Sequence, residues 1–75
     1  MTLYDAPERG RVRLMEIRSG WRARQNLREM GLQVGDAVTV LRRAPFGGPL
    51  AVRSRGAVIA IGRELARKIQ VEPLE

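Results

Sequence analysis

Protein catalysis draws on a short list of side chains, and this sequence lacks two of the most versatile. Its 75 residues contain no histidine and no cysteine. That removes the usual general base near neutral pH and the usual nucleophile–base pairs. Ser19 and Ser54 have no activating neighbour in sequence. Neither glycine pattern for cradling phosphate, Gly-x-x-x-x-Gly-Lys-Ser/Thr or Gly-x-Gly-x-x-Gly, occurs. The residue types point away from an enzyme. Metal chemistry has little more to draw on. The acidic residues, from Asp5 to Glu75, stand singly along a basic chain, which suggests no metal site and no cofactor. Met15 and Met30 read as core filler rather than as ligands.

The side chains left for function are those that bind. The formal net charge is +6, and thirteen of the fourteen basic residues are arginine. Such a surplus favours nucleic acid, an anionic membrane surface or an acidic protein as partner. It also serves plain solubility. The arginines run from Arg9 to Arg67 without forming a block, unlike a polybasic tail. Tyr4, Trp21 and Phe46 are the only aromatics. Trp21 is expected to pack its ring on the body of the domain, although an indole at a helix start could instead anchor a partner. Phe46 has two readings. It folds back as a plug for its own loop, or it stands in solvent as a contact for another molecule.

These side chains must be carried by a small framework. A chain of this length is read as one domain spanning residues 1–75. It buries only about 60% of the surface its unfolded chain exposes, so its stability should be modest. The absence of disulfides suits the cytosol. The first residues, Met1 to Arg9, hold acids and a proline where a signal peptide needs an apolar run. The longest strictly apolar run, Ala57 to Ile61, is far too short to span a membrane.

Val12 and Leu14 alternate with Arg11 and Arg13, which predicts a strand from Gly10 to about Arg18. The alternation slips at Met15, as at a bulge. Trp21 to Met30 reads as a short helix with Ala23, Leu27 and Met30 on its inner face, stopped by Gly31. Asp36 to Arg43 is a strand with Val38 and Val40 inward. Ala44-Pro45-Phe46-Gly47-Gly48-Pro49 must be a loop. Leu50–Arg53 and Ala57–Ile61 form a hairpin across Ser54-Arg55-Gly56. Gly62 to Arg67 is one helical turn, and Ile69 and Val71 begin a last strand. The expected class is all-β, a small barrel of about five strands with one short helix. Its last strand would close against the first and hide the edges. Val12, Leu14, Val38, Val40, Val52, Ile59, Ile61, Ile69 and Val71 supply the core, capped by Leu27 and Met30.

The segments Leu27-Arg28-Glu29-Met30-Gly31-Leu32-Gln33-Val34-Gly35, Ala44 to Leu50, Ile59-Ala60-Ile61 and Ala66 to Val71 occur in an order and at distances that resemble the ferrous iron transport protein A (FeoA) family. Pro7 and Gly10 also sit where that family opens its first strand. Gly48, Gly62 and Leu65 depart from it, since the family often has Asp, Arg and Glu there. The resemblance implies an SH3-like fold and a cytosolic accessory role beside the membrane-bound ferrous-iron transporter with a GTPase domain (FeoB). At family level it also implies transition-metal binding. The carboxy-terminal SH3-like domain of iron-dependent repressors shares the pattern.

SH3-like barrels bind through loops, so the expected partner surface is Pro45, Phe46, Gly47 and Pro49. Arg42, Arg43 and Arg53 would add rim charge and Trp21 a further contact. The competing reading is a basic nucleic-acid-binding barrel, with Arg11 and Arg13 on one strand face. Three scattered aromatics make a poor stacking platform, so nucleic acid is the weaker partner. A homo-oligomer would also suit an apolar loop tip.

Overall fold

The alternation of apolar and charged side chains sets the first strand. In the computed structural model, which describes residues 1–74, β1 (Arg11–Ile17) buries Val12, Leu14 and Ile17 and exposes Arg11 and Arg13. Two inward side chains at period two and a third one residue late require a bulge. The register against the last strand indeed shifts between Leu14 and Glu16, which turns Met15 outward. The core role expected for Met15 is therefore wrong: the bulge puts it on the solvent side.

Helix α1 (Trp21–Glu29) follows, with the buried Leu27 as its main anchor. Its end explains a second correction. Gly31 N–H donates to Arg28 O at 2.9 Å and Leu32 N–H to Leu27 O at 2.8 Å, the paired bonds of a Schellman motif with Gly31 at φ +94. This reversal lays Leu32 against Leu27, and both are buried. Met30 was expected on that face by helical spacing; the returning Leu32 takes the position, and Met30 is left 39% exposed.

Strand β2 (Ala37–Arg43) buries Val38 and Val40. Strands β3 (Leu50–Ser54) and β4 (Ala57–Ile61) form the expected hairpin, tightened to a two-residue turn. Arg55 and Gly56 sit at φ +53 and +82, as a type I′ hairpin turn needs. The short α2 (Arg63–Arg67) leads into β5 (Ile69–Leu74), which returns antiparallel beside β1.

The result is a small SH3-like β domain: one antiparallel five-stranded sheet in the order β4-β3-β2-β1-β5. Alternate residues of all five strands meet in one core, joined by Leu27, Leu32 and Ala66. Leu3 and Ala6 complete it from an amino-terminal 3-10 turn, Leu3–Asp5. Ile59 lies half-buried at its margin. The last strand does pair with the first, but the edges are not both hidden, because β4 remains an end strand.

Candidate functional site

Between β2 and β3 the chain makes its most constrained excursion. Pro45 O accepts from Gly48 N–H at 3.2 Å, closing a four-residue turn whose central residues, Phe46 and Gly47, lie at φ +59 and +71. Ala44 N–H donates to Pro49 O at 2.9 Å and ties the loop's base. Gly47 tolerates positive φ freely, whereas phenylalanine there is held against its preference. The turn is also close-packed. A Cβ on Gly48 would stand 2.7 Å from the Ala44 Cβ, which accounts for glycine at the position where the FeoA pattern often has Asp.

The Phe46 ring is fully exposed at the tip of this loop. That rules out the plug reading. Tyr4 fixes the loop from beneath, its hydroxyl donating to Gly48 O at 3.4 Å. Nothing in the sequence signalled this contact, since the two residues lie 44 positions apart. Pro49 borders a shallow hollow of about 280 Å³ that also touches Arg42, Ala44, Leu50, Ala51 and Ala60.

The expected rim charges divide. Arg42 and Arg53 are exposed on the outer face of β2 and β3. Arg43 is not a rim charge. Its Nε donates to Tyr4 O at 2.7 Å and its Nη2 to Ala6 O at 2.6 Å, while its guanidinium lies over the Tyr4 ring. Carbonyls at the end of the amino-terminal turn need donors, and Arg43 supplies them; it is a structural clamp. In its place stands Arg63, missed by the sequence reading, whose Nη1 lies 2.7 Å from where a Cβ on Gly47 would be.

Trp21 is 71% exposed on α1, not packed on the domain as expected. Of that helix only Leu27 reaches full burial, while Ala23 packs partly buried against the core and Trp21 lies on the solvent side. Trp21 is a second exposed aromatic, and the hydrogen bonds among the described residues do not join it to the loop.

For metal, no three or more acidic, histidine or cysteine residues converge among the described residues. No helix among the described residues is long and apolar enough to cross a membrane.

A small β-rich domain with this order of segments defines a class, and comparison with known proteins gives the family. The FeoA domain model matches residues 1–73. A candidate Fe(2+) transport protein A from Methanocaldococcus jannaschii is 40% identical over 73 residues, covering 97% of this chain and 87% of that protein. The crystal structure of an iron uptake regulatory protein (FeoA) superposes with a TM-score of 0.86 at 32% identity, covering 97% of this chain and 95% of that one. The crystal structure of ScaR with bound Zn2+ gives a TM-score of 0.90 at 27% identity; it covers 99% of this chain but 37% of the longer ScaR chain. The chain belongs to the FeoA family.

Proposed function

We propose that the protein is a non-enzymatic, cytosolic accessory module of ferrous-iron uptake that binds the GTPase-containing membrane transporter through its Pro45–Pro49 loop. Membership of the FeoA family supports the iron-transport role. The observation that carries the contact is Phe46, an aromatic ring fully exposed on a backbone fixed at positive φ. Strain of this kind persists only where the surroundings over-determine it, and it concentrates at binding sites. A ring already fixed in place also loses little entropy on association. Pro45, Gly47 and Pro49 shape the loop; Arg42 and Arg63 stand beside it and Arg53 lies farther along β3, which together give charge suited to an acidic surface. Trp21 offers a separate contact on α1.

The test is direct binding of the intact chain to detergent-solubilised transporter and to the transporter's cytosolic domain. Saturable binding to both is expected. Absence of binding to either, beside salt-sensitive binding to single-stranded RNA, would favour the nucleic-acid reading instead.

A further inference from the structure

The two ends of the sheet are guarded very differently. Along β5, Val71 N–H donates to Met1 O at 2.8 Å and Thr2 forms a bridge with Gln70, so the amino-terminal segment covers part of that edge. β5 also carries Glu72 and Pro73. Charge, proline and a covering segment are the usual devices against a further strand. β4 has none of them. It pairs only with β3 among the described residues, and Ala57-Val58-Ile59-Ala60-Ile61 contains no charge and no proline.

The hairpin turn fixes which backbone groups are free. Ser54 and Ala57 flank the two-residue turn and form a hydrogen-bonded pair, so bonded and non-bonded pairs alternate from there. Val58, opposite Arg53, and Ala60, opposite Ala51, fall on non-bonded pairs. Their N–H and C=O groups therefore point away from β3, into solvent. Val58 is 61% exposed.

Charge selects the occupant. From Ala37 to Arg63 the chain has five arginines and no acidic residue; Arg43 is held in its clamp and Arg55 is paired with Asp36 at 3.0 Å, which leaves Arg42, Arg53 and Arg63 exposed. Arg53 stands directly across from Val58, and Arg42 shares the shallow hollow with Ala51 and Ala60. Two copies joined edge to edge would bring these cations together, whereas an acidic strand would neutralise them.

We propose that the β4 edge accepts an extended acidic segment of a partner protein as a sixth strand. The segment's backbone bonds to Val58 and Ala60, and its carboxylates on the outer face meet Arg53 and Arg42. Main-chain bonds give affinity in this mode and alternate side chains give selectivity. The inference does not depend on which protein supplies the segment, and so stands apart from the transporter reading.

The experiment titrates the intact chain with a fluorescein-labelled peptide of alternating Glu and Val, and with its Lys-Val counterpart. Binding of the acidic peptide alone is expected, with slowed hydrogen exchange at the Val58 and Ala60 amides. Arg53→Glu should lower that affinity about tenfold, the scale of one lost charge contact. Val58→Pro removes an outward N–H without breaking a β3 bond and should abolish the protection at Ala60. No binding at millimolar peptide would overturn the proposal. So would binding that leaves both amides unprotected, which is electrostatic adhesion alone. A peptide-free chain that is dimeric with these amides already protected would show a second copy as the occupant, and would overturn it too.

Discussion

Phe46 holds positive φ, as Arg9 and Arg55 do, but it alone of the three carries a large apolar side chain into solvent. An L-residue in the left-handed region costs roughly 1–2 kcal/mol, while a glycine costs about 0.5–1 kcal/mol more backbone entropy on folding. The strain relieved thus equals or exceeds the entropy added, and the exposed ring contributes no burial. Phe46→Gly should therefore melt at or slightly above the parent temperature; a fall of several degrees would show that the ring packs. Ser54 presents the opposite case, a buried hydroxyl with no hydrogen-bond partner among the described residues. An unsatisfied buried hydroxyl costs about 1–3 kcal/mol. Ser54→Ala should raise stability by about 1 kcal/mol in denaturant unfolding. At this scale the sequence was only half legible. Prolines and glycines around residue 46 signalled an exposed loop, because they forbid a strand whatever surrounds them. The positive φ of Phe46 and the clamp at Arg43 depend on partners distant in sequence, and no local pattern encodes them.

The elements separate what periodicity can and cannot say. Strand alternation placed Val12, Leu14, Val38, Val40 and Val52 in the core because a half-buried strand admits no other arrangement. Helical spacing assigned Leu27 correctly and Met30 wrongly, since it does not foresee a chain that reverses and returns Leu32 to the same face. The pair makes a test. Leu27→Ala should cost about 2–4 kcal/mol, a cavity-forming change in a small core. Met30→Ala, on the exposed side, should stay within about 0.5 kcal/mol. Equal losses would mean that α1 is not held as described. Arg43 belongs to this scale too, because it joins β2 to the amino-terminal turn. Arg43→Ala leaves Tyr4 O and Ala6 O without donors and should cost about 1–3 kcal/mol in stability. Its effect on partner association should be small beside that of Arg42→Ala or Arg53→Ala, which should slow association and flatten its salt dependence.

For the whole molecule, the +6 charge is unevenly spread, with the acid-free span from Ala37 to Arg63 carrying β2, the Phe46 loop, β3 and β4. That span thus holds an exposed ring, an open strand edge and the exposed Arg42, Arg53 and Arg63, while Arg43 is held in its clamp and Arg55 is paired with Asp36 at 3.0 Å. The same charge repels metal ions. Calorimetric titration with ferrous iron or zinc should give weak, ill-defined binding; a stoichiometric site tighter than about micromolar would contradict that expectation. The family was legible from four short segments in order, whereas the cationic face emerged only when β2, β3 and β4 were seen side by side. The Phe46 loop is the surface proposed to meet the transporter. Its most direct test is the affinity of the transporter's cytosolic domain for the parent chain and for Phe46→Ala, measured at matched salt with both melting temperatures recorded. A loss of about ten- to hundredfold with an unchanged melting temperature is expected. Equal affinities for the two chains would contradict it.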